Sequence, residues 1–254
     1  MKVRALILAA GFGKRLGDLT KDCPKPLVRI GEARLIELGL WHLSKAGFTE
    51  ITINLHYLGQ KIADFLGDGS RYKMQISYSW EDPILDTGGA IKKVFAENPN
   101  NPILIFNCDA VFGKDFNLKK FIADFLNHKD RPIAAMVLRN PPKDNQFGIV
   151  KAIAYEEVLR ITQILETKLS PLLKEKSQDY IFAGVHIFSK EIASYFHNLP
   201  EIFCSMKNLY PKLLEDNKII TGHLFNGYWN DTGTPERLED AKKAIGRNEL
   251  SWKG

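Results

Sequence analysis

Apolar runs of strand length alternate with longer stretches of helical period along most of the chain. A strand is expected over 3–9, a helix over 35–46, a strand over 50–55 and a helix over 57–66. A strand over 74–78, a helix over 88–96 and a strongly apolar strand over 102–106 follow. This repeated strand-then-helix order implies a mainly parallel sheet covered on both faces, because parallel neighbours need a crossover between them. After a helix over 116–126 the pattern turns strand-rich, with runs over 133–138, 148–154, 158–164 and 180–188 that suggest a mixed extension of the sheet. Helices are expected again over 207–216 and 235–245.

A chain of 254 residues can bury a full core. With 44% hydrophobic and 26% charged residues it has an ordinary globular composition. No uninterrupted apolar run could span a bilayer. The apolar start, 5–10, is short and runs directly into a glycine loop with Lys14 and Arg15, so it reads as a buried first strand and not as a signal peptide. A cytoplasmic location is expected. Cys23, Cys108 and Cys204 show no CxxC spacing and are an odd number, which points to free thiols and argues against a zinc site. The net charge of +5 is scattered and suits an anionic small substrate at least as well as nucleic acid. An RNA-binding module would need a basic stripe with exposed aromatics, and neither that nor a membrane-binding segment is present. No internal repeat, low-complexity tract or interdomain linker interrupts the chain.

In open α/β sheets, ligands sit beyond the carboxyl ends of the strands. The first strand leads there into Ala9-Ala10-Gly11-Phe12-Gly13-Lys14-Arg15-Leu16. Glycines let the backbone approach an anion, successive N–H groups can cradle phosphate oxygens, and the two bases add cationic donors. About twenty residues pass before the next helical segment, a long connection that contains Pro24-Lys25-Pro26-Leu27. A Rossmann fingerprint would need a third glycine where Leu16 stands, and a P-loop would need Ser or Thr where Arg15 stands, so both motifs fail. From the letters alone the loop is either a phosphate site or an ordinary surface turn. Asp109, after the strand over 102–106, is either a metal ligand or a cap, and Asp231 before Thr232-Gly233 either a ligand or an Asx-turn.

The loop and Pro24-Lys25-Pro26-Leu27 resemble the opening signature of the sugar-phosphate nucleotidylyltransferases. Further segments resemble the same family in the same order: Leu85-Asp86-Thr87-Gly88-Gly89-Ala90, Asn107-Cys108-Asp109, Phe182-Ala183-Gly184-Val185, and Gly227 through Glu236 with its Asp231-Thr232-Gly233-Thr234-Pro235 core. The likeness covers nearly the whole chain. It is strong over 3–112 and 180–244 and weak between. Residues 56–60 and 66–71, with the Asp86–Gly89 turn, are similar to the short, monomeric-type branch that includes N-acetylmuramate-1-phosphate uridylyltransferases. Mannose- and heptose-1-phosphate guanylyltransferases share much of this frame.

The resemblance implies a single α/β domain over 1–254, Rossmann-like, with a mixed, mostly parallel central sheet flanked by helices. Within it, 1–112 would form the nucleotide-binding part and 113–246 the sugar-phosphate-binding part. The implied reaction joins a nucleoside triphosphate, with UTP favoured, to a sugar 1-phosphate and releases pyrophosphate. The implied cofactor is Mg²⁺, held by Asp109 and Asp231. Arg15 would hold the β- and γ-phosphates, and Lys25 would bridge phosphates at the reacting centre; a solvated loop cation is the alternative for each. Lys168, in Glu166-Thr167-Lys168-Leu169-Ser170-Pro171, stands where the family often has a lysine reaching the sugar phosphate. The nucleotide would meet Leu8, Ala10, Gly11, Gly13, Asp86, Gly88 and Gly89, although the last two glycines could equally serve only to start a helix. Asn107 and Gly184 would meet the sugar, and Asn145 and Gln146 are either further contacts or a solvated loop. Trp80, Phe182 and Trp229 read as packing residues. This chain departs from the family at Cys108, where glycine is usual, and in the irregular 166–171 segment. Those two departures are the grounds for an alternative reading as a catalytically silent nucleotide-binding relative.

Overall fold

A computed structural model describes residues 2–143, 146–165 and 176–252. The chain divides into two compact units, each assembled from separate stretches of sequence.

One unit takes Arg4–Ile84, Ile105–Lys119 and the stretch from Gly227. Its sheet is built on β1 (Arg4–Leu8), β4 (Glu50–Leu55) and β5 (Gln75–Trp80), paired in parallel in the order β5-β4-β1, with β6 (Ile103–Asn107) on the other side of β1. Leu6, Ile7, Ile53, Leu55, Ile105 and Phe106 are buried, as strands covered on both faces require. Helices α1 (Leu35–Lys45) and α2 (Gly59–Leu66) supply the crossovers. Gly39 on α1 faces the Phe106 ring, and a Cβ there would stand 3.5 Å from it. The helix expected from 57 starts at Gly59, because Leu58 takes a left-handed φ of 49°. Between β1 and α1 the chain forms tight 3₁₀ turns over Lys14–Thr20 and Lys25–Leu27, then a small hairpin of β2 (Arg29–Ile30) and β3 (Ala33–Arg34). A second two-strand ribbon pairs β7 (Val111–Phe112) with β13 (Trp229–Asn230). The helix Pro235–Gly246 then buries Leu238, Ala241 and Ala244 against Leu16, Val28, Ile30, Leu35, Leu38 and Val111.

The other unit contains α3 (Asp86–Ala96), most of α4 (Leu118–Asn127), and strands β8 (Ala134–Arg139), β9 (Ile149–Tyr155), β10 (Val158–Ile164), β11 (Gln178–Phe188) and β12 (Ile220–Leu224). The order β11-β8-β12-β10-β9 is closed by a β11–β9 pairing, so these five strands form a ring. Only β12 and β8 run parallel; the other pairings are antiparallel. The expectation of a mostly parallel sheet is corrected here, and the mixed extension is the better description. Connection length explains part of the change: only Glu156 and Glu157 join β9 to β10, which permits a hairpin and no crossover.

The helix expected over 207–216 is irregular, with a π-turn over Ser205–Leu209 before the α-helical Tyr210–Glu215. Tyr210 N–H reaches back five residues to Ser205 O, and Pro211 has no N–H to continue an ordinary helical ladder there. Trp80, read as packing, is 47% exposed, with its ring edge against Gly59. Among the described residues, no helix is long and apolar enough to cross a membrane. The three cysteines are free.

Candidate active site

The loop after β1 is held at several points. Ala9 N–H donates to Asn54 Oδ1 at 2.7 Å, and Asn54 Nδ2 donates to Glu81 Oε1 at 2.7 Å, so a buried amide and a buried carboxylate fix the strand end. Leu8 O accepts from Cys108 N–H, and Ala10 O accepts from Tyr57 N–H. Gly13 takes φ of 66°, where a Cβ would stand 3.0 Å from Lys25 Cβ and 3.1 Å from Thr20 Cγ2, so both conformation and space select glycine. The buried Thr20 hydroxyl lies 3.1 Å from both Gly13 O and Gly17 O and staples the loop to itself. Tyr57 OH donates toward Thr20 O and Lys21 O, and Lys61 Nζ donates to Asp22 O.

The proline-flanked turn places Lys25 inward, with only 10% of its side chain exposed. Its Nζ donates to Asp109 Oδ2 at 2.7 Å and lies 3.4 Å from Asp231 O. Asp109 follows β6, and Asp231 follows β13. Thr232, fully buried at φ 41°, donates its hydroxyl to Asp109 O at 3.0 Å, while its N–H donates to Asn230 Oδ1 at 2.7 Å. The Asp231 carboxylate accepts from Arg237 Nη1 at 2.9 and 3.0 Å, one contact to each oxygen. Arg15 Nη1 lies 4.0 Å from Asp231 Oδ2, with 65% of the Arg15 side chain exposed. Gly233 sits between them, where a Cβ would be 2.8 Å from Asp231 Oδ2 and 3.0 Å from the guanidinium of Arg15. Burial pushes the Cys108 thiol well above its ordinary pKa, and the neighbouring Asp109 charge adds to the rise, so Cys108 is a neutral thiol between the strand and the aspartate.

Arg15, Lys25, Asp109 and Asp231 therefore belong to one unit, past the carboxyl ends of β1 and β6, as do Ala10, Gly11 and Gly13, while Leu8 and Asn107 are the last residues of those two strands. Asp86, Gly88, Gly89 and Gly184 belong to the other unit. There Gly88 and Gly89 N–H both point at Phe203 O, at 2.8 and 3.2 Å. A Cβ on Gly88 would stand 2.2 Å from the Phe203 ring, and one on Gly89 2.2 Å from Glu201 O, so local packing demands both glycines. Gly184 has φ of 89° within the irregular register of β11. Lys168, Glu166 and Asn145 lie outside the described residues. The sequence reading missed Arg237, Asn54 and Glu81. Arg237 sits three residues after the N-cap Thr234, a position that only its contact distinguishes; Asn54 is the next-to-last residue of an apolar strand, where a polar residue was a usable signal.

Two carboxylates beside two cations and a glycine loop, carried on an α/β frame, make a site whose charges suit phosphate groups. The chain belongs to the nucleotidyl transferase family, whose pattern matches residues 4–248. It is 32% identical over 258 aligned positions to the N-acetylmuramate alpha-1-phosphate uridylyltransferase of Neisseria meningitidis serogroup B, covering 99% of this chain and 100% of that one. It is 28% identical over 248 positions to the D-glycero-alpha-D-manno-heptose 1-phosphate guanylyltransferase of Aneurinibacillus thermoaerophilus, covering 96% and 98%. A UDP-glucose pyrophosphorylase solved with UDP-glucose shares the mixed α/β fold at a TM-score of 0.79 and 18% identity, over 97% of this chain and 99% of that one. The protein is thus a sugar-1-phosphate nucleotidyltransferase.

Proposed function

We propose that the chain transfers a uridylyl group from UTP to a sugar 1-phosphate, with N-acetylmuramate 1-phosphate as the favoured acceptor. The observation that carries the nucleotidyl-transfer chemistry is the junction of Lys25 with Asp109 Oδ2 and Asp231 O. The choice of UTP is supported by the full-length likeness to the Neisseria uridylyltransferase.

A sugar phosphate oxygen attacks the α-phosphorus, the bond from that phosphorus to the bridging oxygen breaks, and pyrophosphate leaves. The attacking oxygen is already ionised, so the protein's task is positioning and charge neutralisation and not proton removal. Lys25, fixed between two prolines, presents a cation at the reacting phosphate. Exposed Arg15, on the same loop, takes the leaving pyrophosphate, for which a planar guanidinium is well shaped. Gly11 and Gly13 let the backbone lie close to the triphosphate. Asp86, Gly88 and Gly89 serve the nucleotide, and Asn107 and Gly184 the sugar. Because the amides of Gly88 and Gly89 are taken by Phe203 O, any contribution from that turn runs through other atoms. Lys168 is proposed to reach the sugar phosphate. The chain is proposed to work as one catalytic domain, with 1–112 serving the nucleotide and 113–246 the sugar phosphate.

The donor set suits Mg²⁺. Asp109 and Asp231 offer hard carboxylate oxygens, and among the described residues no cluster of three or more His, Cys, Asp or Glu could hold a metal ion by itself. A cation here would complete its shell with water and phosphate oxygens, the usual arrangement for Mg²⁺ in phosphoryl-transfer sites. When bound, it would supply positive charge to the α-phosphate.

A second reading, GTP with a mannose- or heptose-type 1-phosphate, is favoured by the likeness to the heptose guanylyltransferase over 98% of its length. Pyrophosphate release with each of four nucleoside triphosphates against a panel of sugar 1-phosphates decides between them. The highest kcat/KM is expected for UTP with N-acetylmuramate 1-phosphate. Turnover with GTP and not UTP would move the protein to the second reading, and no release with any pair would leave the silent relative.

A further inference from the structure

Asp231 carries two candidate cationic partners, and only one holds it. Arg15 stands 4.0 Å away with most of its side chain in water. Arg237 places a single nitrogen 2.9 and 3.0 Å from the two carboxylate oxygens, with 26% of its side chain exposed. The Arg237 backbone is fixed as well. Its N–H faces the N-cap hydroxyl of Thr234 at 3.4 Å, and its carbonyl accepts from Asn230 Nδ2 at 3.0 Å. Asn230 Nδ2 also reaches Asp240 Oδ2 at 3.1 Å, where Tyr228 OH donates at 2.8 Å. The guanidinium is thus delivered to Asp231 from a braced first helical turn. Asp109 has the equivalent partner in Lys25.

A divalent cation bound at Asp231 would share an oxygen whose electron density Arg237 already draws on, and it would sit close to a fixed positive charge. Both effects oppose loading of the cation alone. A triphosphate reverses the balance, since its several negative charges outweigh one guanidinium. We infer that Arg237 is a positioning residue and resident counter-ion that competes with the divalent cation for Asp231, and so couples metal loading to the arrival of the nucleotide. The inference rests on the metal role proposed for Asp109 and Asp231.

The test is Mn²⁺ binding to the nucleotide-free protein, read by the electron paramagnetic resonance signal of free Mn²⁺. Arg237→Gln should bind Mn²⁺ at least tenfold more tightly than the unaltered protein, and should need less Mg²⁺ for half-maximal turnover while its kcat falls. Arg237→Lys keeps the charge and should stay within threefold of the unaltered Mn²⁺ affinity. Asp231→Asn, alone or combined with Arg237→Gln, should remove the site. If Asp231→Asn removes Mn²⁺ binding while Arg237→Gln leaves it unchanged or weaker, Arg237 is only a helix staple and the inference is overturned. If Asp231→Asn has no effect in either background, the metal assignment itself fails. Should Arg237→Gln not fold, Arg237→Lys decides: a tenfold gain in Mn²⁺ affinity with the charge retained is incompatible with competition by charge.

Discussion

Lys25 and Asp109 are 84 positions apart in sequence and meet Nζ to Oδ2 at 2.7 Å. The lysine side chain is nearly buried, with 10% of it exposed, and the aspartate is more open at 30%, so the carboxylate fixes where the ammonium stands. Lys25→Met keeps the packing stem and removes the cation. Loss of a preorganised charge at a phosphate-transfer centre is expected to lower kcat by about 10²–10³-fold. Steady-state pyrophosphate release checks this; a loss under tenfold would remove Lys25 from the reacting centre.

The Asp109→Asn and Asp231→Asn proteins should fold and lose most turnover. A loss of two to three orders of magnitude corresponds to about 3–4 kcal/mol of transition-state stabilisation. On the proposal that the two carboxylates share one ion, the double variant should be little worse than either single one. Multiplying losses in a full kinetic cycle would show that they act separately.

Gly89→Ala should be among the more damaging small substitutions in its unit. The added methyl meets Glu201 O at 2.2 Å, and backbone has little freedom to retreat. Overpacking of this kind costs roughly 1–3 kcal/mol. Urea denaturation should report that loss, whereas Gly246→Ala, at a helical position where the added methyl meets nothing within 4 Å, should show none of it.

Acid should destabilise the unit that holds His42. Burial lowers its pKa from 6.5 to about 4, against smaller opposing effects of Phe112 O and Asp115. A carbonyl can only accept, so the 3.1 Å contact with Phe112 O puts the proton of the neutral ring on Nε2. Between those two pKa values the unfolded chain binds the extra proton and the folded one does not. Stability from this residue is therefore complete above pH 6.5 and declines as pH falls toward 4, by about 3 kcal/mol. Urea midpoints across that window should fall more steeply for the unaltered protein than for His42→Gln; parallel curves would contradict the assignment.

Cys108→Gly introduces the residue that the family resemblance implies beside Asp109 and leaves both proposed metal ligands in place, and activity should hold or rise. The thiol itself should resist alkylation at pH 8, because its raised pKa leaves almost no thiolate. Mass spectrometry after iodoacetamide treatment of the folded protein tests this directly, with rapid labelling at Cys108 as the contrary outcome.

The long apolar runs were readable because burial on both faces leaves an uninterrupted hydrophobic signature, and the strand expected over 102–106 is β6, shifted by one residue to Ile103–Asn107. Elements of two residues, such as β7 and β13, carry no period and were invisible. The strand β12 escaped for a different reason. Gly222 interrupts it, and a Cβ there would stand 2.4 Å from Leu138 Cδ1, so packing between neighbouring strands overrides the poor strand propensity of glycine. Strand direction across β8–β12 was likewise beyond a periodicity argument, since alternation does not encode it. At the site, glycine and proline punctuation marked the Lys25 and Asp109 segments, but Arg237 occupies an ordinary helical position and only three-dimensional proximity gives it meaning.

The hydroxyl of Thr232 reaches the carbonyl of Asp109 across 123 positions. A chain emerging from a ribosome thus exposes its glycine loop, its lysine and its first aspartate long before the segment that completes them. Until residue 232 has cleared the exit tunnel, the growing polypeptide has Asp109 without its anchor and no second carboxylate at all. A fragment that stops short of the 227–232 segment therefore carries only half of the carboxylate pair proposed to hold the metal.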